Sequence, residues 1–475
     1  MTHYPMWIAN QPCYDGELVV ADKWLQQPVA TVAQGDDRHV EAALSQAEMA
    51  RLELGKWTSL QRATALNRVV KWLELNQDEL IRLLMIETGK PRQDAQVEVN
   101  RAILTTRLSA AATSQHGRWW DTGELGEGGQ RWGLSKRIPI GVCLLIVPFN
   151  FPLNLAMHKI GPALAVGNPV VLKPASLTPL TASKLGECLA ECGYPAGTFS
   201  MIPTGRAVMD RWLGDPRIRL ISFTGSDSVG WGIKSKSTRS EVVLELGGNA
   251  TCVVDDTVDG VAWVPRLARG AFGLAGQSCI SIQSIYTHVS QYDRVKQALC
   301  EEAARWVAQS PDADGCRFTC MISTEARERV SALLESGVQA GARRLVGGEG
   351  VANRLSACVI EACPLNHPLA TTELFAPVVL LHAYTDIQDV VGVINGSRYG
   401  LQAGIITQSI ERGMMVSEAL DVGGVVVGDI PTLRLESLPY GGQKASGMGR
   451  EGVESAIHHM TTEKSVIVSG LGSVG

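Results

Sequence analysis

Apolar residues in the first quarter of the chain recur every three or four positions. These positions are Leu66, Val69, Val70, Leu73, Leu80, Leu83 and Leu84. The spacing predicts amphipathic helices, and Gly89 and Pro91 supply the signals that end them. A further helix is predicted over 93–115, and the glycine-rich stretch 119–130 is predicted to form turns and edge structure.

From about residue 138 the pattern changes to short apolar runs bounded by Gly or Pro. The first set is IPIGVCLLIVP, NPVVLKP, IRLISFTG and SEVVLELGG, and the second, from about residue 247, is TCVVD, SIYTHV, APVVLLHAY and GGVVVGD. Helical patterns such as TPLTASKLGECLAECG lie between the runs. This alternation of strand and helix predicts an α/β fold with doubly wound parallel sheets. The last run, TTEKSVIVS, has no local partner and is predicted to pair with a distant segment or with another subunit.

The composition is typical of a globular enzyme with more than one domain. The chain has 475 residues, of which 45% are hydrophobic and 19% charged, and its net charge is -5. This balance argues against a nucleic-acid-binding protein, which would carry a strongly basic surface. The N-terminus lacks a secretion signal, and no apolar run reaches the roughly 18 residues of a membrane span. A cytoplasmic enzyme without a membrane partner is therefore expected.

The cysteines predict neither a disulfide framework nor a metal site. Their number is odd, eleven, and they are scattered along a long chain, which is typical of reduced thiols. Cys188 with Cys192, and Cys316 with Cys320, have the i, i+4 spacing of a helix. We interpret both pairs as packing residues, because no second pair lies nearby to complete the four ligands of a zinc site.

Cys279, in the stretch GLAGQSCISIQ, is the candidate nucleophile. A nucleophilic thiol needs a route to thiolate, donors for the oxyanion it creates, and a base for the second half of the reaction. Glu245 ends an apolar strand, where desolvation raises a carboxyl pKa toward that of a general base. Asn150 follows the apolar run 142–147 at the ligand-binding edge of the sheet and offers an amide donor. Taken singly, an inert core cysteine, an ion-paired glutamate and a turn asparagine remain open alternatives.

Several longer motifs occur in an order and spacing that is specific to one superfamily. They are PFNFPLNLAMHKIGPALAVGNPVVLKPASLTPLTA, ISFTGSDSVG, LELGGN, GQSC, ELFAPV and PYGGQKASGMGREG. Over essentially its whole length the chain resembles the aldehyde dehydrogenase superfamily. The resemblance implies a cofactor-binding α/β domain (1–117 and 138–246), a catalytic α/β domain (247–435), and a small β oligomerisation module with a C-terminal tail (118–137 and 436–475). It also implies a homodimer or a homotetramer.

The resemblance assigns the catalytic roles. The cysteine matching Cys279 attacks the aldehyde to form a thiohemiacetal, whose oxyanion is held by the asparagine matching Asn150 and by the cysteine N–H. A thioester follows, and the glutamate matching Glu245 activates the water that hydrolyses it. These roles suit a soft nucleophile, an amide donor and a shielded carboxylate.

The same resemblance assigns the binding of NAD or NADP. Lys173 matches the lysine that contacts the adenosine ribose, and Glu373 and Phe375 match the pair at the nicotinamide end. A third set, at the helix start near the pyrophosphate, comprises Gly225, Ser226 and Gly230.

Ser176 departs from the pattern of many NAD-selective members, which carry glutamate at this position. A carboxylate there repels the 2′-phosphate of NADP, so its replacement by serine beside Lys173 removes the repulsion. We therefore predict that NADP is accepted, and a thousandfold preference for NAD in kcat/KM would contradict this prediction.

The branch that the chain resembles includes lactaldehyde, phosphonoacetaldehyde and non-phosphorylating glyceraldehyde-3-phosphate dehydrogenases, which act on short and often anionic aldehydes. Arg107, His158 and Arg434 fall where such enzymes place basic residues in the substrate tunnel, and arginine suits an oxyanion because its planar fork binds two oxygens. Ser278 is a counterargument, since the residue before the nucleophile is basic in some anion-using members. The predicted substrate is a short polar or anionic aldehyde.

Three alternatives remain open from the sequence. A dehydrogenase that transfers the acyl group to coenzyme A is disfavoured because Glu245, a hydrolytic base, is present. A silent structural or binding homologue is disfavoured because Cys279 and Asn150 are both present. A cysteine hydrolase using His158 as base would leave the cofactor motifs unexplained.

Overall fold

The helices of this computed structural model enclose two large sheets. The structure describes residues 1–114, 117–120 and 131–469. Within these ranges, none of the helices combines the length and the apolar character that crossing a membrane requires. The helices are α1 Asp37–Leu54, α2 Ser59–Leu75, α3 Gln77–Thr88, α4 Arg92–Ala111, α5 Pro152–Val166, α6 Leu180–Glu191, α7 Arg206–Trp212, α8 Asp227–Lys236, α9 Gly260–Phe272, α10 Tyr292–Ala303, α11 Thr324–Gln339, α12 Pro368–Thr371, α13 Ile387–Gly396, α14 Ile410–Ala419 and α15 Val453–His459.

The first five strands precede the first four helices, and strands and helices alternate through much of the rest of the chain. The strands are β1 Thr2–Tyr4, β2 Met6–Ile8, β3 Gln11–Cys13, β4 Leu18–Asp22, β5 Gln27–Val32, β6 Arg118–Trp120, β7 Arg131–Pro139, β8 Val142–Ile146, β9 Val170–Lys173, β10 Phe199–Met201, β11 Ile218–Thr224, β12 Glu241–Glu245, β13 Ala250–Val254, β14 Ile282–His288, β15 Arg343–Val346, β16 Gly350–Val351, β17 Arg354–Leu355, β18 Cys358–Glu361, β19 Val378–Tyr384, β20 Tyr399–Gly400, β21 Gln402–Ile406, β22 Gly424–Val427, β23 Gln443–Lys444, β24 Gly447–Met448 and β25 Thr461–Ser469.

The first large sheet has the strand order β24-β12-β11-β8-β9-β10-β2-β3. Its five central strands are parallel, and β24 and β2 join them antiparallel at the two sides. The chain runs outward from β8 to β10 and then returns to β11 on the other side of β8. The strand order therefore reverses between β8 and β11, and ligands bind at such a reversal, beyond the carboxyl ends of the strands.

The second large sheet has the order β15-β18-β19-β14-β13-β21-β22. All of its pairings are parallel except that of β15 with β18. Its inner strands are nearly continuous apolar runs with helices on both faces, so they are buried on both sides. Together the two sheets confirm the predicted α/β fold with two doubly wound units.

A small third sheet contains the C-terminal strand. Its order is β25-β7-β6, and β25 pairs antiparallel with β7 along nine residue pairs from Thr461–Pro139 to Ser469–Arg131. The predicted pairing of TTEKSVIVS with a distant segment is thus confirmed within the same chain. Of the stretch predicted as turns and edge structure, Trp119 and Trp120 lie in β6, and residues 121–130 lie outside the described ranges.

The helix predictions agree closely with the structure. The first two helical patterns form α2 and α3, and Gly89 ends α3 in the left-handed conformation with a φ of 75°. The helix predicted over 93–115 is α4. The interpretation of the two cysteine pairs as packing residues agrees with the burial of all four side chains, although Cys316 and Cys320 lie in coil and not in a helix.

Candidate active site

A cavity of about 970 Å³ lies between the two large sheets. The first sheet contributes the carboxyl ends of its strands, where Lys173 stands beside Ile146 and Glu245 stands beside Thr224 in register. The second sheet contributes the segments that enter β13, β14 and β19. Among the sequence-predicted residues, those lining the cavity are Asn150, Lys173, Gly225, Ser226, Glu245, Ser278, Cys279, Glu373, Phe375 and Arg434.

Strained backbone precedes Cys279. Leu274 and Ala275 both have a left-handed backbone conformation, with φ of 53°. Residues other than glycine adopt this conformation at a cost in free energy. Gly276 follows with a φ of 69°, and a Cβ on it would lie 2.0 Å from the carbonyl oxygen of Ala376. Glycine is therefore required where the loop before the nucleophile packs against the loop before β19.

The Cys279 sulfur lies in the cavity beside one hydroxyl group. Its Sγ is 3.0 Å from the Tyr440 hydroxyl oxygen. Burial raises the pKa of the thiol to about 11, against the opposing effect of the Tyr440 hydrogen bond. The thiol is therefore mostly protonated at neutral pH, so its reactivity depends on groups that favour the thiolate.

Asn150 is held so that an amide hydrogen remains available. Its Nδ2 donates to the carbonyl oxygen of Gln277 at 3.1 Å, and its Oδ1 accepts from the N–H of Phe151 at 3.2 Å. Because an amide nitrogen has two hydrogens, one is left for an oxyanion. Within the described ranges, the Cys279 N–H also has no hydrogen-bond acceptor, so both donors are free to act together.

A buried ion pair holds the main chain at Asn150. Lys90 donates to the main-chain oxygen of Asn150 at 2.9 Å and pairs with Glu98. The other Glu98 oxygen accepts from the N–H groups of Leu153 and Asn154 at 2.9 and 3.2 Å. Glu98 thereby satisfies the free N–H groups at the start of α5, and the pair fixes the loop that carries Asn150.

Glu245 is a buried carboxylate without a hydrogen-bond partner for either oxygen in the described part of the chain. Only 3% of the residue is exposed. Burial raises its pKa well above the usual range, and the negative charge of Glu451 adds to the effect. A desolvated carboxylate that lines the same cavity as Cys279 suits a general base.

Glu451 bridges two cations behind Glu245. Its Oε1 pairs with Lys159 Nζ at 2.7 Å and its Oε2 with Arg434 Nη2 at 3.1 Å. Lys159 also donates to the Ser222 hydroxyl at 2.7 Å. Although burial opposes ionisation, these two cations hold the pKa of Glu451 below its usual range. The side chain of Arg434 is 9% exposed and lines the cavity.

His158 does not line the cavity, so its predicted role in the substrate tunnel is wrong. It is fully buried in α5, and its Nε2 is 2.5 Å from Glu436. Burial and the charge of Arg434 lower its pKa, and a neutral imidazole is therefore the form that donates to Glu436. Glu436 also pairs with Arg101, a cavity residue that the sequence analysis missed.

The predicted substrate role of Arg107 is also wrong. Arg107 is 58% exposed and pairs with Glu74 on α2. The cavity-facing residues of α4 are Asp94, Val97 and Arg101. Six helical positions separate Arg101 from Arg107, a rotation of about 240°, so the two arginines face different directions.

The distal end of the cavity has the features of a dinucleotide site. Ser226 precedes the first turn of α8 without capping it through its side chain, which leaves N–H groups directed toward an anion. Lys173 donates only to the Pro174 carbonyl at 3.1 Å, and burial lowers its pKa. A half-buried lysine without a carboxylate partner among the described residues fits a ribose hydroxyl or a phosphate. Gly230 serves packing, since a Cβ there would lie 2.3 Å from Leu246.

Glu373 and Phe375 stand between this end and Cys279. Glu373 accepts from the Gly248 N–H at 3.0 Å, and burial raises its pKa to about 7. Phe375 is left-handed, with a φ of 53°, and its ring packs edge-on against Phe149. Ser176, next to the lining residue Ala175, is exposed. These residues fit the ribose hydroxyls and the nicotinamide ring of the cofactor that the sequence predicts.

Comparison with known proteins agrees with this arrangement. The model of the aldehyde dehydrogenase family matches residues 7–466. The chain belongs to the aldehyde dehydrogenase family. The predicted superfamily, its fold and its activity as an NAD(P)-dependent aldehyde dehydrogenase are thereby confirmed.

Three relatives show the range of the match. A 3-sulfolactaldehyde dehydrogenase from Priestia aryabhattai is 32% identical, with 95% of each chain covered. The structure of aldehyde dehydrogenase 21 from Physcomitrella patens, in complex with the reaction product succinate, is 35% identical with a TM-score of 0.96, covering 100% of this chain and 99% of the other. Glyceraldehyde-3-phosphate dehydrogenase GapN from Methanocaldococcus jannaschii, complexed with NADP, is 30% identical with a TM-score of 0.90, covering 95% and 99%.

Sequence reasoning missed several polar residues of this aldehyde dehydrogenase. They are Lys90, Glu98, Arg101, Lys159, Glu436, Tyr440 and Glu451. Lys159 carried a usable signal, because it is a charged residue inside the otherwise apolar helix α5. Apart from this signal, these residues meet only in the folded chain, where, for example, 292 positions separate Lys159 from its partner Glu451.

Proposed function

We propose that this aldehyde dehydrogenase oxidises short anionic aldehydes to carboxylates through a covalent intermediate on Cys279. The sulfur adds to the aldehyde carbon, and the carbonyl oxygen becomes an oxyanion that accepts from the Asn150 amide and the Cys279 N–H. The bound NADP or NAD supplies the acceptor for the hydride that leaves this carbon. The product on the enzyme is a thioester.

Hydrolysis of the thioester is assigned to Glu245. Its carboxylate removes a proton from a water molecule, the water oxygen bonds to the acyl carbon, and the carbon–sulfur bond breaks with its electron pair returning to sulfur. The unpartnered oxygens of Glu245 support this role, since no neighbour competes with water for them. A base of this kind distinguishes hydrolysis from transfer to coenzyme A.

The charge balance beside Cys279 supports an anionic substrate. Three buried or half-buried cations, Lys159, Arg434 and Arg101, face two ionised carboxylates, Glu436 and Glu451. The raised pKa of Glu245 favours its protonated, neutral form, and the lowered pKa of His158 favours its neutral form. While Glu245 is protonated, the cluster therefore carries about one net positive charge in a low-dielectric site, where a substrate anion gains the most. Arg434 itself lines the cavity, and its side chain is 9% exposed.

The names of the relatives agree with this substrate class. Succinate, bound to the moss enzyme, and 3-sulfolactaldehyde, in the name of the Priestia enzyme, are both short and anionic. A four-carbon aldehyde with a terminal carboxylate, succinic semialdehyde, is therefore the first substrate to test, followed by aldehydes with a sulfonate or a phosphate.

The test is reduced-cofactor formation by the purified protein with matched anionic and neutral aldehydes. We expect kcat/KM for succinic semialdehyde to exceed that for butanal by at least about a hundredfold, the order expected of one desolvated charge pair. Each aldehyde is assayed with NAD and with NADP, and coenzyme A is added in one arm to detect acyl transfer. Equal values for both aldehydes would sink the proposed substrate class.

Two arginine variants on α4 separate substrate recognition from general charge. Arg101→Gln is expected to raise KM for the anionic aldehyde about tenfold or more and to leave butanal oxidation nearly unchanged. Arg107→Gln, the matched control on another face of the same helix, is expected to change neither. Equal effects of the two variants would mean that Arg101 does not recognise the substrate anion.

We also propose that copies of this chain assemble through the third sheet. Among the described strands, β25 lies at the edge of that sheet and pairs on one side only, which leaves a row of backbone groups able to pair with another strand. Trp120, Gly133 and Ile467 stand in register across the three strands. Trp120 and Ile467 are 49% and 69% exposed, so an apolar row accompanies the open edge.

A further inference from the structure

Within the described ranges, Tyr440 is the one residue whose hydroxyl lies within hydrogen-bond distance of the Cys279 sulfur. The backbone of Tyr440 forms a two-way bridge with Glu451, with N···O distances of 2.9 and 2.6 Å. Its ring is 8% exposed and packs with Ile280 and Leu401 beside Cys279. Backbone and packing thus fix the hydroxyl at the sulfur independently of any substrate.

We propose that Tyr440 is a catalytic residue whose hydroxyl donates a hydrogen bond to the Cys279 sulfur and stabilises the thiolate, both before it attacks the aldehyde and when it leaves the thioester. The Arg434 guanidinium lies 4.0 Å from the centre of the Tyr440 ring. A cation over an aromatic face draws electron density from the ring, and this makes the phenol a stronger donor.

The direction of the hydrogen bond follows from the surroundings. Burial raises the pKa of Tyr440 well above its usual range, so the phenol keeps its proton while the thiol ionises. The charged and titratable groups that act on Cys279 are Tyr440, Arg434, Glu245 and Glu373. The two carboxylates oppose the thiolate, and Arg434 and Tyr440 favour it. Of these groups, Tyr440 alone lies within hydrogen-bond distance of the sulfur in the described part of the chain, so it is the group placed to donate to the thiolate.

The proposal rests on Cys279 being the nucleophile of the proposed function, and its test reads the thiol without any aldehyde. The Cys279 thiolate displaces iodide from iodoacetamide. A carbon–sulfur bond forms, and the electron pair of the carbon–iodine bond leaves with iodide. The rate is followed by mass spectrometry of the Cys279 peptide between pH 6 and 10, because other cysteines also react. Below the thiol pKa this rate is proportional to the thiolate fraction.

We expect Tyr440→Phe to lower the alkylation rate at pH 7 about tenfold, the effect of a thiol pKa raised by about one unit. This variant keeps the ring, its packing and the contact with Arg434. Tyr286→Phe, which removes a buried phenol from strand β14 outside the active-site cavity, is the control and is expected to match the wild type. Incorporation of 3-fluorotyrosine at position 440 retains every contact but gives a stronger acid, and it is expected to raise the rate.

Opposite shifts in the phenylalanine and fluorotyrosine proteins would establish the donor role, since a structural role predicts no such pair of signs. A Tyr440→Phe profile that superposes on the wild type would overturn the proposal. The activity of Cys279→Ser distinguishes a failure of the proposed function from a failure of the role of Tyr440. If that variant still oxidises aldehydes, the proposed function fails; if it is inactive while Tyr440→Phe alkylates normally, only the role of Tyr440 fails.

Discussion

At the scale of single residues, Glu245 controls the second half of the proposed reaction through its protonation state. Only the ionised form accepts a proton from water, and burial raises its pKa well above the usual range. The ionised fraction, and with it the hydrolysis rate, therefore increases as pH rises through a value higher than the roughly 4.3 of a free glutamate. We expect the turnover of the wild-type enzyme to increase with pH above the range in which a free glutamate titrates.

Glu245→Gln isolates this step. The variant still forms the thioester, so stopped-flow absorbance is expected to show a burst of one reduced cofactor per active site, followed by turnover slower by about 10² to 10⁴. Glu241→Gln, on the same strand and paired with His459 at 3.0 Å, is the matched control with normal turnover. Loss of the burst together with turnover would assign Glu245 to acylation instead.

More of the residues proposed for catalysis than of those proposed for substrate binding line the cavity. Cys279, Glu245 and Asn150 lie in short motifs at strand ends, and the α/β fold brings those ends to one cavity. Arg107 and Arg101 lie on the same helix, so only its rotation decides which one faces the cavity. That rotation is set by packing of α4 on α2 and α5, which periodicity along one segment does not specify.

At the scale of elements, the start of α5 links stability to catalysis. Lys90 and Glu98 are each about 1% exposed or less, and removing one member of a buried pair leaves the other uncompensated. We expect Lys90→Met to cost about 3 kcal/mol, which lowers the unfolding midpoint by several degrees, and to reduce kcat because the Asn150 loop loses its anchor.

The check on this element combines thermal unfolding with kinetics. Arg92→Met removes an exposed pair with Asp312, in which the two side chains are 57% and 68% exposed. It is expected to change the free energy of unfolding by less than about 1 kcal/mol. A Lys90→Met protein as stable as the Arg92→Met protein would show that the buried pair contributes no net stability. Normal kcat in a destabilised variant would separate the anchor from the chemistry.

Elements with a strong period were predictable, and short edge elements were not. Helices α2, α3 and α4 and the parallel inner strands followed from apolar spacing. Strands β1 to β3 contain three residues each with mixed polarity, so they lack a period that could identify them. The antiparallel strand β24 has two residues, and only its pairing with β12 defines it.

At the scale of the whole molecule, the open edge of the third sheet predicts the assembly state. Along the nine residues of β25, one backbone edge has no partner strand in the described part of the chain, and Ile467 and Trp120 lie in the same cross-strand row. A charge at Ile467 costs desolvation at an interface but little on an exposed surface. We therefore expect the wild type to elute as a dimer or tetramer in size exclusion with light scattering, and Ile467→Asp to elute as a smaller species with an unchanged fold. Val289→Asp, at a position 52% exposed outside this sheet, is expected to retain the wild-type mass. A monomeric wild type, or equal behaviour of the two variants, would show that the third sheet is not the interface.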